Sequence, residues 1–170
     1  MPLSQDLQSL IESANLAIER VHLTTPVEKA EDHTVGCAVL TQSGIVFTGV
    51  NIHHFTGGPC AESVAIGNAV QAGAKGEDFT HIVAVRNQRR GVLNPCGRCR
   101  QMLLDYYPHI KAIVVDKAAG DQLLAVDVKE LLPYSYIVCI ASELISPISN
   151  RLVSGKIWFC SAKMSQSWGS

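Results

Sequence analysis

Two short cysteine segments, Cys60-Ala61-Glu62 and Pro95-Cys96-Gly97-Arg98-Cys99, constrain this chain more than any other feature in it. If their sulfurs are to hold one ion, two well-separated stretches must end at the same point, and the fold must bring them there. A structural zinc closes its tetrahedron with four protein ligands, whereas a catalytic zinc takes three and leaves one position for water. Three thiolates, from Cys60, Cys96 and Cys99, with the Glu62 carboxylate two residues beyond the first, therefore point to an ion that activates water.

The periodicity predicts where these segments lie. Leu7, Leu10, Ile11, Ala14, Ala17, Ile18 and Val21 form one apolar stripe on a helix opened by Ser4. Runs 35–40 and 45–50 are apolar and β-branched and are joined by Thr41-Gln42-Ser43-Gly44, the pattern of a hairpin. The chain then loops through Gly57-Gly58-Pro59 into a helix over 61–72 that Gly73 ends. A buried strand over 81–86, a polar loop over 87–94 and a second helix from Pro95, in the first turn, to about Tyr107 follow. Strands over 112–115 and 123–126 have too short a connection for a crossover helix and are predicted antiparallel. A short helix over 128–132 closes the order. This succession predicts an α/β domain over 1–138, a three-layer α/β/α fold with a mixed five-stranded sheet. The tail over 139–170 shows no period and receives no assignment.

Both cysteine segments fall at predicted helix beginnings, where unpaired N–H groups and the positive end of the dipole favour thiolates. Cys96 and Cys99, three apart, share a helix face, and Cys60 supplies the third arm. Three thiolates exceed the charge of a divalent ion by one, which raises the pKa of bound water relative to a histidine-rich site. Arg98 and Arg100 are positioned to offset that excess by donating to sulfur. Glu62 stands close enough to exchange protons with the activated water without ligating the ion.

Charge narrows the partners. With 14 basic and 15 acidic residues the formal net charge is −1, which provides no surface of the kind a polynucleotide requires. No apolar run approaches the length of a bilayer span, and no basic segment leads into an apolar one at the start. A soluble, cytoplasmic protein with reduced thiols is expected, acting on a small molecule and not on nucleic acid or a membrane. Cys37, in an apolar strand pattern, is expected to be a buried free thiol; Cys139 and Cys160 carry no signal.

Taken with Val35-Gly36-Cys37-Ala38, the run to Gln101 after Cys99, and Leu131-Leu132-Pro133, these segments resemble the small zinc-dependent cytidine deaminases, including the blasticidin S deaminase branch. The resemblance covers about 35–132. It implies a cytidine deaminase-like fold, one Zn2+ held by Cys60, Cys96 and Cys99, and Glu62 as the proton shuttle. It also implies that the Ala61 N–H meets the pyrimidine carbonyl oxygen and that Asn51 keeps a sugar contact. Where those enzymes carry Asn-x-Glu, this chain has Asn51-Ile52-His53, so His53 replaces a carboxylate; His33 stands where they usually have phenylalanine. Both histidines become candidate substrate contacts.

The implied activity is hydrolytic deamination of cytidine or deoxycytidine, in pyrimidine salvage, by a homotetramer whose neighbouring subunits complete each pocket. Three other readings stand beside it. The substrate is blasticidin S or another modified cytosine nucleoside; or the chain is a non-catalytic zinc-stabilised module whose fourth ligand is His53 or His54; or it edits nucleic acid, which the charge balance disfavours.

Overall fold

The computed structural model describes residues 3–24 and 32–136; the unassigned tail over 139–170, with Cys139 and Cys160, lies outside the described residues. The elements follow the order α1 (Gln5–Thr24), β1 (Val35–Thr41), β2 (Val46–Val50), α2 (Ala61–Gln71), β3 (Phe79–Arg86), β4 (Val92–Leu93), α3 (Gly97–Tyr106), β5 (Lys111–Asp116) and β6 (Gln122–Asp127). Single 3-10 turns at Gly76–Asp78 and Val128–Leu131 precede β3 and follow β6.

The main sheet path runs β2-β1-β3-β5-β6, with β4 paired to β3 off that path. Pairing is antiparallel everywhere except between β3 and β5, which are parallel and joined through α3. The mixed sheet and the antiparallel final pair agree with the sequence expectation.

Alternation along the strands assigns the two faces. Ala38, Val83, Val85 and Ile113 pack against Leu10, Ala14 and Ile18 of α1. Cys37, Val39, Ile82, Ala112 and Val114 pack against Ala61, Ala65 and Ile66 of α2 and Leu103 of α3. The sheet is thus a middle layer, with α1 on one side and the two cysteine-bearing helices on the other. Among the described residues, no helix is long and apolar enough to cross a membrane.

Three sequence expectations require correction. Residues 87–94 are not all loop, because Val92 and Val85, and Leu93 and Ala84, pair as a sixth, two-residue strand. Pro95 does not occupy the first turn of α3; Cys96 is the N-cap and Pro95 precedes it. The predicted closing helix is one 3-10 turn, too short to show a helical period.

Two glycines set how closely the layers approach. A Cβ on Gly49 of β2 would stand 2.3 Å from the Ala65 nitrogen of α2, and one on Gly36 of β1 would stand 2.3 Å from the Ala14 carbonyl oxygen of α1. Both neighbours are backbone atoms, which cannot swing aside. Gly49→Ala is expected to push α2 off the sheet and lower Tm by about 5 °C or more, an overpacking cost measurable by calorimetry. Unchanged stability in that variant would contradict the close approach.

Candidate metal and active site

The N-termini of α2 and α3 present their cap residues in nearly the same backbone conformation. Cys60 caps α2 with φ −68° and ψ 157°, and Cys96 caps α3 with φ −67° and ψ 167°. Neither residue makes a side-chain capping hydrogen bond, so both sulfurs are available to a ligand. The first intrahelical bonds run from the Val64 and Arg100 amides to the Cys60 and Cys96 carbonyls. Helix geometry therefore leaves the amides of 61–63 and 97–99 without intrahelical acceptors, and these groups favour negative charge at the sulfurs.

Cys60 Sγ and Cys96 Sγ lie 3.8 Å apart, and the three sulfurs of Cys60, Cys96 and Cys99 all lie within 4.8 Å of one another. Ligands at about 2.3 Å from a tetrahedral zinc would stand roughly 3.8 Å apart, so the trio fits this ion. Soft sulfur donors also suit zinc better than a hard cation. Among the described residues the cluster takes in no histidine and no carboxylate, which leaves His53 and His54 out of the ligand set and Glu62 beside it.

The sulfurs perturb one another. Burial pushes the Cys99 thiol well up, and the negative charges of Glu62, Cys60 and Cys96 push the same way. Burial also raises Cys60, against an opposing hydrogen bond from Cys99. For Cys96, burial acts upward but is outweighed by the Cys99 amide and by the Cys99 and Cys60 thiols, which leave Cys96 below its ordinary value. A divalent cation would reverse the repulsive part of this balance and hold all three as thiolates.

Glu62 sits in the first turn of α2 with 6% of its surface exposed. Its side chain lines the same cavity as Cys60 and Cys96, where its carboxylate can face the ion and its water. On the sheet side, Cys37 is fully buried, and its thiol is pushed far up by burial and then by the charge of Glu62, so it stays protonated.

Cys60, Ala61, Glu62 and Cys96 line a cavity of about 260 Å3 whose other walls include Asn51, Val35, Leu93 and Asn94. Its size lies at the small end of ligand pockets. Asn51 and Ala61 thus share one cavity with Glu62 and two of the sulfurs, while His33 and His53 do not line it. His33 donates from Nδ1 to the Asn51 carbonyl at 2.7 Å, and His53 is exposed, with its backbone N–H bonded to the Asp32 carbonyl at 2.9 Å. Arg98 is exposed to solvent. Arg100 donates from Nε to the Pro95 carbonyl at 2.8 Å and from Nη1 to the Leu131 carbonyl at 3.0 Å, which ties the entry to α3 to the turn after β6. Its hydrogen bonds go to backbone oxygen and not to sulfur.

Sequence reasoning overlooked Asn94. Its side chain accepts from the Val115 amide at 2.7 Å and donates to the Val115 carbonyl at 3.0 Å, fixing the cavity wall to the end of β5. The only sequence signal was its place directly before Pro95-Cys96.

Residues 7–117 match the family model described as the cytidine and deoxycytidylate deaminase zinc-binding region. The chain is 33% identical over 138 residues to the blasticidin-S deaminase of Bacillus cereus, covering 76% of this chain and 93% of that protein. It is 32% identical over 133 residues to a cytidine deaminase of Halalkalibacterium halodurans, with 77% and 94% covered. Among solved structures, the cytidine deaminase of Burkholderia pseudomallei superposes with a TM-score of 0.60 at 28% identity, covering 79% of this chain and all of that one.

Removing any one sulfur should release the ion. Cys60→Ala, Cys96→Ala and Cys99→Ala are each expected to lower zinc affinity by more than the roughly 10–100-fold that loss of an outer-shell partner costs. Elemental analysis after dialysis should return about one zinc per chain for the wild type and well under one for each variant; full retention by any of them would remove that residue from the ligand set.

Proposed function

The chain belongs to the cytidine and deoxycytidylate deaminase family, and from that membership we propose that it hydrolyses the exocyclic amine of a cytosine ring in a free nucleoside, giving the uracil compound and ammonia. The observation that carries the reading is the buried Glu62 beside three converging sulfurs, on the wall of a small cavity. Zinc held by Cys60, Cys96 and Cys99 would supply Lewis-acid activation of water.

The remaining steps belong to the protein's own groups. Glu62 takes a proton from the attacking water and passes it to the ring nitrogen next to the amine-bearing carbon, making that carbon electrophilic. It then moves the second proton to the departing amine, so that water adds, ammonia leaves and the carboxylate returns to its starting state. The Ala61 N–H, one of the amides the helix leaves free, donates to the ring carbonyl and fixes the ring's orientation. Asn51 supplies a donor toward the sugar, and Val35 and Leu93 form apolar walls. Arg100 acts through the backbone it holds, and the charge of Arg98 offsets the surplus negative charge at a distance.

A second reading keeps the same chemistry but changes the substrate to blasticidin S or another modified cytosine nucleoside. It is favoured by the similarity to the Bacillus cereus enzyme and by Asn51-Ile52-His53, which has no carboxylate to pair with sugar hydroxyls. The net charge of −1 and the small cavity weigh against a polynucleotide substrate. The catalytic domain is taken as 1–138. A cytoplasmic location accords with the free state of Cys37, Cys60, Cys96 and Cys99. Assembly into a homotetramer accords with the exposed apolar side chains of Ile52 and Phe55, the latter 91% exposed.

Purified protein assayed against cytidine, deoxycytidine and blasticidin S, by ammonia release and ultraviolet change, separates the substrates. Glu62→Gln should keep the fold and the zinc while lowering turnover by about 10³-fold. Retained turnover in Glu62→Gln would remove the proton-shuttle role.

A further inference from the structure

A line of hydrogen bonds runs from the end of α1 to Asn51, which lines the cavity. Asn51, the first residue after β2, is held at three of its atoms. Its N–H donates to the Val35 carbonyl at 3.1 Å, its side-chain Oδ1 accepts from the Thr34 and Val35 amides at 2.8 Å each, and its carbonyl accepts from His33 Nδ1 at 2.7 Å. Because two backbone N–H groups converge on one side-chain atom, that atom must be the oxygen, and the orientation of the amide is fixed by its partners. Asn51 Nδ2, whose protein partner is Thr34 Oγ1 at a long 3.5 Å, is then the donor left for a ligand.

The line continues outward. The carbonyl of His33 accepts from His22 Nε2 at 2.7 Å, and His22 stands in the last turn of α1, the helix on the opposite face of the sheet from the cysteines. A carbonyl oxygen can only accept, so His22 carries hydrogen on Nε2 and His33 on Nδ1. Each ring is thereby held in one orientation. We propose that His22 and His33 are positioning residues: they anchor the 32–35 segment and the Asn51 backbone so that Asn51 presents Nδ2 as a donor to a hydroxyl or other acceptor oxygen on the sugar of the substrate. The inference rests on the reading of this cavity as a nucleoside site.

A purely structural role for the two rings makes a different forecast, since it predicts lost stability with unchanged substrate binding. His33→Phe keeps an aromatic ring and removes the donor, whereas His33→Asn keeps a nitrogen donor near the position of Nδ1. His22→Ala and His22→Gln form the matching pair for Nε2. With the nucleoside that the wild type turns over best, His33→Phe is expected to raise KM about fivefold, the effect of one hydrogen bond, with kcat within about twofold. Hydrogen exchange at the Thr34 and Val35 amides should quicken in parallel by about tenfold, because their protection depends on Asn51 Oδ1. His33→Asn should restore both quantities, and His22→Gln should outperform His22→Ala in the same two measurements.

Unchanged KM and unchanged exchange in His33→Phe and His22→Ala would overturn the proposal. So would a fall in Tm with KM unmoved, or a failure of His33→Asn to rescue. If the wild type deaminated no cytosine nucleoside, the functional reading would fall by itself, and the exchange rates at Thr34 and Val35 would still decide whether the histidines position Asn51.

Discussion

Three sulfurs that repel one another when ionised must be held within 4.8 Å, and the rest of the structure serves that requirement. At about 4 Å, two unit charges in a medium of intermediate polarity repel by roughly 4 kcal/mol, comparable to a large share of a domain's net stability. Two matched helix caps supply part of the compensation through their free amides, and the cation supplies the remainder. The caps can be matched only because α2 and α3 start from the same side of one sheet. That sheet receives α2 at backbone contact through Gly49.

Two buried titratable groups, Cys37 and Glu62, differ in where they face. Cys37 is driven to remain a neutral thiol and acts as wall, whereas Glu62, in the first turn of α2, faces the cavity. The walls are fixed independently of the metal: Asn94 clasps the backbone of Val115, and Arg100 clasps that of Pro95 and Leu131.

What could be read in the sequence was whatever depended on local period. The stripe from Leu7 to Val21 announced α1, and the β-branched runs announced β1, β2 and β3, because burial on one face imposes those spacings directly. The cysteine trio was legible because metal ligation limits residue type and spacing together. What escaped depended on partners distant in sequence. Val92 and Leu93 are a strand only by virtue of Ala84 and Val85, and two residues carry no period. His33 read as a cavity residue from its place in the chain, yet its ring meets the carbonyl of Asn51; Arg100 read as a sulfur donor, yet it reaches Leu131, which no spacing rule could have foreseen.

The single parallel pairing in the sheet, between β3 and β5, has a further consequence. Cys60 lies on the connection between the β1–β2 hairpin and β3, while Cys96 and Cys99 lie on the crossover that the parallel pair requires. An ion clamped there joins the residues that follow the first hairpin to the helix that connects the parallel pair. A cation held there would act as a latch between two successive connections of the sheet, one on either side of β3.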